Sequence, residues 1–84
     1  MVEIFCNLGC YGLQHQIFIF ENDRQKDSGY CTFDDAAQVL SEYCNHYKAN
    51  KLTLKGIIAN GLVDEIYSIA SSKYNINNLT IEVI

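Results

Sequence analysis

One stretch, residues 51–84, constrains the fold more than any other. Residues 51–55 and 79–83 alternate polar and apolar side chains, as half-buried strands do. Between them, apolar residues recur at helical spacing: Leu62, Ile66, Ile69 and Ala70. Two strands joined by a helix are parallel, with a right-handed crossover. Because a parallel sheet covered on both faces would show continuous apolar runs, the alternation indicates helices on one face only.

Composition bounds the class of protein. The 84 residues predict a single domain, residues 1–84, with a thin stability margin. A net charge of −4, with six basic residues spread along the chain, makes nucleic-acid binding unfavourable. No run of about 20 apolar residues predicts a membrane helix, and the first residues lack the basic region of a secretory signal, so we expect a cytoplasmic protein. In that compartment the four cysteines are expected to be free structural thiols.

The remaining elements follow from the pattern along the chain. Strands are predicted at residues 2–7, 15–21 and 30–32, with a loop at 8–14 and a polar turn at 22–29. A first helix follows, with Thr32 as its cap, Asp35 at the capping-box position and Asn50 as a left-handed stop. A second helix is predicted at residues 61–74, with Asn60 as its cap. The order is β-β-β-α-β-α-β.

This order predicts an α/β fold of two layers. Two hairpins make the first three strands antiparallel, and two crossovers bring the fourth strand beside the first and the fifth beside the fourth. The sheet is therefore mixed and five-stranded, in the order 3-2-1-4-5. Because both right-handed crossovers run in one direction, both helices lie on one face.

The topology resembles the ribonuclease-H-like and actin-like core, truncated after the fifth strand. The segment GCYGLQHQIFIF (residues 9–20), the acidic helix start and residues 52–66 are also similar to short uncharacterised phage and prophage proteins. Ribonuclease-H-like nucleases hold two metal ions with carboxylates at the ends of the first and fourth strands. Asn7 and Gly56 occupy those places here. We therefore expect no nuclease activity and no enzyme.

Other catalytic chemistry lacks support in the residues. Cys6, Cys10 and His15 do not have the spacing of a standard zinc site, and no second pair of cysteines completes one. Cys10 with His15 as a nucleophile pair lacks an identifiable orienting group and oxyanion site. We therefore predict no catalytic residues, no metal and no cofactor.

Two surfaces remain as candidates for binding. In open α/β sheets, ligands bind beyond the carboxyl ends of the strands where the strand order reverses. That crevice would bring together Asn7, Gly9, Tyr11, Gly12, Asn60 and Gly61. A helix start offers free amides to an anion, so a small phosphate-bearing ligand or nucleotide is one hypothesis. The alternative is that these residues only form turns and a cap, since no Gly-rich phosphate motif is present.

The second surface is the sheet face that the helices leave uncovered. If eight aliphatic residues point at the helices, the intervening phenylalanines point the other way, together with polar residues of the parallel strands. The aliphatic set is Val2, Ile4, Ile17, Ile19, Leu52, Leu54, Ile81 and Val83; the opposite set is Phe5, Phe18, Phe20, Thr53, Lys55, Thr80 and Glu82. An exposed aromatic patch marks an interaction site. The alternatives are that the loop at residues 8–14 partly covers the patch, or that the assignment of the two faces is reversed. We therefore expect a small non-enzymatic protein-binding module that binds a partner or a second copy through Phe5, Phe18, Phe20, Lys55 and Glu82. The phage resemblance implies an inhibitor or regulator of a host defence system.

Overall fold

The computed structural model describes residues 1–9 and 14–84 and contains the predicted elements in the predicted order. The bounds are β1 Val2–Leu8, β2 Gln14–Glu21, β3 Arg24–Thr32, α1 Ala36–Tyr47, β4 Lys51–Gly56, α2 Leu62–Tyr74 and β5 Thr80–Val83. The sheet order is β3-β2-β1-β4-β5. β1 is antiparallel to β2 and parallel to β4, so the mixed sheet is confirmed. Of the described helices, none is long and apolar enough to cross a membrane.

The core lies between the inner face of the sheet, which we define as the face toward α1 and α2, and the two helices. The alternation along the strands places one side chain in two there, and the burial pattern of β1 alternates accordingly. The core includes Val2, Ile4, Ile17, Ile19, Leu52 and Leu54 from the sheet, and Leu40, Cys44, Leu62, Ile66 and Ala70 from the helices. Both helices therefore cover one face, as the alternation indicates.

Two predicted core residues of β5 are less buried than expected. Ile81 pairs with Leu52 on the inner face and packs against the core, but it is only partly buried. Val83 pairs with Leu54 on the same face, yet it is 52% exposed. β5 is an edge strand with a neighbour on one side only, which leaves the end of its inner face open to solvent.

The third strand is longer than the sequence predicts. It begins at Arg24, and the turn before it contains only Asn22 and Asp23, with φ of 53° and 65°. Such a two-residue turn with positive φ matches the twist of a hairpin. Residues 24–28 are all exposed, because β3 is the other edge of the sheet. Charged residues on an edge strand disfavour pairing with other chains. This strand is therefore polar, and its composition resembles that of a loop.

The helix caps also differ from the prediction. α1 has Asp35 at its N-cap and Lys48, with φ of 57°, as its left-handed C-cap. Asn50 cannot be that cap, since its amide donates to the Val2 carbonyl and its carbonyl accepts from Thr80, which places it already in the sheet. One half of the predicted capping box is present, because Asp35 Oδ1 accepts from both the amide and the hydroxyl of Thr32, each at 2.8 Å. The residue that caps α2 is Gly61, in place of Asn60.

Candidate functional site

The outer face, the side of the sheet away from the helices, has an aromatic centre. Phe5 and Phe18 are partners in the β1–β2 ladder, and their ring centroids are 6.4 Å apart. Phe20 lies on the same face, two residues along β2, opposite Glu3. All three phenylalanines are only partly buried. Within the described residues, no helix or strand covers them.

Polar residues of the parallel strands border this aromatic centre. Thr53 is the β4 partner of Phe5, and Lys55 is the partner of Asn7. Lys51 Nζ lies 3.0 Å from Glu82 Oε2 across β4 and β5, and this hydrogen bond raises the pKa of Lys51. The pair is exposed, and such pairs contribute about 0–1 kcal/mol. Glu82 is therefore held by its own chain, whereas Lys55 is exposed and outside the two ion pairs found among the described residues.

The antiparallel side of the outer face contributes a residue that the sequence analysis did not identify. Tyr30 of β3 is the partner of Gln16, which places its ring on the outer face, where it is 63% exposed. The alternation of side chains along β3 places Tyr30 on this face. The predicted strand had only three residues, which is too few to show an alternation.

At both edges of the sheet, backbone amides donate hydrogen bonds to side chains of the same chain. On β5, the Ile81 amide points away from β4 and donates to the Tyr67 hydroxyl at 2.9 Å. On β3, the Ser28 amide donates to Asp27 Oδ1 at 2.8 Å, and Asp35 accepts from Thr32. An edge amide that is already bonded cannot accept an added strand without losing that bond. The edges are thus less available than the outer face.

The predicted crevice residues that the structure describes lie at the carboxyl end of β1, beside the end of β4, and at the start of α2. Asn7 lies in β1 between Gln16 and Lys55. Gly9, which follows the end of β1, packs so closely on β2 that a Cβ would overlap the Gln14 carbonyl oxygen. Tyr11 and Gly12 lie outside the described residues.

Asn60 and Gly61 lie at the start of α2, as the sequence predicts. They line a shallow pocket of about 280 Å³ whose walls all come from residues 58–64. Asp64 and Glu65 occupy the first turn of α2, where their negative charge already complements the helix dipole and repels an anion.

His15 is a buried residue of β2. It is 2% exposed, and its Nδ1 accepts a hydrogen bond of 2.8 Å from the Gly9 amide. The Phe33 ring packs edge-on against the imidazole, with the two ring centroids 4.2 Å apart. Desolvation lowers its pKa, partly opposed by the charge of Asp35. The proton that remains on the neutral ring is on Nε2, because Nδ1 is the acceptor.

The described cysteines are buried free thiols. Cys6 and Cys31 lie on β1 and β3, so β2 separates their backbones by about two strand spacings, or ~9.6 Å. That separation exceeds the ~7 Å that a disulfide can bridge. A hydrogen bond with Cys31 and burial raise the pKa of Cys6, and burial raises the pKa of Cys44 to about 12. Cys10 lies outside the described residues, among which no group of three or more metal-ligating side chains is found.

Two solved structures share this fold at low sequence identity. One is a Bacteroides thetaiotaomicron protein with an actin-like ATPase fold and unknown function, with a TM-score of 0.70 and 12% identity over 99% of this chain and 32% of that one. The other is the Aquifex aeolicus PPX-GPPA enzyme, with a TM-score of 0.51 and 14% identity over 100% of this chain and 36% of that one. The chain therefore spans about a third of either length. Such likenesses show the fold alone, an actin-like core. No protein-family model and no curated protein matches the sequence.

Proposed function

We propose that this chain is a non-enzymatic protein-binding module that binds its partner through the outer face. The observation that carries the proposal is the aromatic centre of Phe5, Phe18 and Phe20 on the adjacent strands β1 and β2. No helix or strand among the described residues covers it. Aromatic side chains are enriched in the centres of protein interfaces, which have polar rims. Here Thr53, Lys55 and Gln16 and their neighbours supply such a rim.

The capped edges support binding by the face rather than by strand addition. A partner that added a strand to β5 would displace the Tyr67 hydroxyl from the Ile81 amide, and one that added a strand to β3 would displace Asp27 from Ser28. Each displaced hydrogen bond subtracts about 0.5–1.5 kcal/mol from binding. The outer face requires no such displacement.

The dimensions of the face predict the strength of binding. Four strand spacings of about 4.8 Å and seven residues of about 3.3 Å give a projected area of roughly 440 Å². Accessible surface follows the side-chain relief and exceeds this projection, so the face is of the order of the ~800 Å² per partner of a standard interface and not of the larger obligate ones. We therefore expect a reversible complex whose affinity depends on one or two central aromatic residues.

Charge favours a different protein over a second copy. The net charge of −4 repels another copy of the chain and attracts a basic surface. The resemblance to short phage proteins supports a bacterial defence protein as this partner, which the chain would inhibit or regulate in the cytoplasm. A homodimer would instead show as a doubled mass in solution.

The test compares substitutions on and off the outer face. A partner captured from a bacterial lysate is identified by mass spectrometry, purified and titrated by calorimetry against the wild-type chain, Phe18→Asp and Ile57→Asp. Ile57 is 75% exposed and lies in the loop after β4, so it controls for the added charge. We expect Phe18→Asp to weaken binding at least tenfold and Ile57→Asp less than twofold.

A second variant separates binding from folding. Phe18→Thr keeps a residue that favours strands and removes the ring, so it should weaken binding with unchanged amide NMR dispersion. Equal affinity for the wild type and both Phe18 variants, or equal loss in Ile57→Asp, would refute the proposal.

A further inference from the structure

A second surface lies on the inner side of the sheet, along the flank of α1 above β3. Glu42, Tyr43, His46 and Tyr47 line a groove of about 430 Å³. Residues 42 and 46, like residues 43 and 47, are four apart and therefore neighbours on the helix surface. The groove thus has one wall of tyrosine rings and a rim formed by a carboxylate and an imidazole.

The position of the tyrosine wall is fixed by β3. The Tyr43 hydroxyl lies against Gly29, where any Cβ would overlap it. The Tyr47 hydroxyl donates to Asp27, which lowers the pKa of that carboxyl and raises the pKa of the phenol. The two rings stack with centroids 5.9 Å apart and planes 12° apart, and His46 packs edge-on against Tyr47 at 4.7 Å.

The carboxylate at the rim is oriented by its own helix. Gln38 Nε2 donates to Glu42 Oε1 at 2.9 Å and contacts the Tyr74 hydroxyl at 3.1 Å, which ties the amide to α2. Glu42 is in neither of the ion pairs found among the described residues. It therefore presents an unpaired negative charge at the rim of the groove.

This surface already holds one cation of the chain. Lys26 Nζ lies 5.8 Å from the centroid of Tyr47 and 3.0 Å from Glu21, so a positive group is placed against a tyrosine face and a carboxylate together. The groove is lined by the same two kinds of group, since Tyr43 and Glu42 both border it. Among the described residues, Lys26 on Tyr47 and Lys73 on Tyr74 are the cation contacts with rings, and Tyr43 has none.

We propose that the α1 groove binds a guanidinium group, the head of an arginine side chain on a protein partner. A guanidinium can stack on a tyrosine face and donate hydrogen bonds to a carboxylate at the same time, whereas a quaternary ammonium cannot donate. The inference is independent of the proposed function, because the groove and the outer face lie on opposite sides of the sheet.

The experiment uses small probes, so it requires no knowledge of the partner. Methylguanidinium is titrated into the labelled chain and followed by the NMR signals of Tyr43 and His46. Methylurea has the same planar shape without charge, and tetramethylammonium has the charge without donors. We expect saturable shifts with methylguanidinium, with a Kd on the order of 10 mM for so small a ligand. Tetramethylammonium should bind more weakly, and methylurea should give no saturation.

Matched variants assign the two parts of the groove. Glu42→Gln should weaken the binding of methylguanidinium about threefold, so that its affinity no longer exceeds that of tetramethylammonium. The control Glu65→Gln removes a negative charge from α2 instead and should leave both affinities unchanged. Tyr43→Leu should weaken both cations. Methylurea that binds as well as methylguanidinium, or a Glu42→Gln variant with wild-type binding, would overturn the proposal.

Discussion

Replacing Gly29 with alanine tests how α1 sits on β3. A Cβ at this position would overlap the Tyr43 hydroxyl and lie 2.8 Å from its Cζ, so the ring must move away. Overpacking of this kind costs about 1–3 kcal/mol, and the lower backbone entropy of alanine in the unfolded chain returns about 0.4–1 kcal/mol. We expect the free energy of unfolding to fall by about 1–2 kcal/mol. For a domain of this size, that lowers Tm by ~4–16 °C.

A double-mutant cycle identifies the cause. Tyr43→Leu removes the three ring and hydroxyl atoms that the new Cβ would meet, so Gly29→Ala should be close to neutral in that background. The coupling energy from urea unfolding should therefore be about 1–2 kcal/mol. Additive effects, or a Gly29→Ala variant as stable as the wild type, would refute the packing of Tyr43 on Gly29 and, with it, the wall of the α1 groove.

Three further predictions follow from other contacts. Desolvation lowers the pKa of His15 in the folded chain, so as pH falls below about 6.5 the unfolded chain binds a proton at this residue before the folded chain does. The free energy of unfolding of the wild type should therefore fall from pH 7 to pH 5.5. Urea unfolding of His15→Gln should show a flatter dependence of this free energy on pH. Tyr67→Phe removes the acceptor of the Ile81 amide, and that amide should exchange with deuterium severalfold faster, while unchanged exchange would show that the edge is not capped. ATP and inorganic phosphate should leave Tm unchanged, because two carboxylates occupy the first turn of α2. A clear rise in Tm that is lost in Gly61→Ala would favour the crevice as a phosphate site.

The sheet could be predicted from the sequence because its signals are local. Strict alternation in residues 51–55 and 79–83 fixed the inner face, and the two crossovers then fixed the strand order. The placement of Phe5 and Phe18 on the outer face follows from that alternation alone, since a strand residue has only two directions available.

What could not be predicted depends on neighbours distant in the sequence. Residues 24–28 have the composition of a turn, and they form a strand because β2 offers a free edge with which to pair. The polar character of Tyr67 gives no sign that its hydroxyl meets the Ile81 amide, since that contact needs the crossover to be complete. In the sequence, Tyr43 falls on the apolar side of α1, which predicts only a packing role. Its place in the wall of the groove depends on Gly29, 14 positions earlier in the chain.

The most direct test of binding through the outer face is site-specific photo-crosslinking. The photoreactive residue p-benzoylphenylalanine is placed at position 18, at the aromatic centre, or at position 57, in the exposed loop after β4, and the chain is irradiated in the cells that make it. We predict one discrete adduct with a different protein from position 18 and none from position 57. No adduct from position 18, or an adduct with the mass of two copies of this chain, would contradict the proposal.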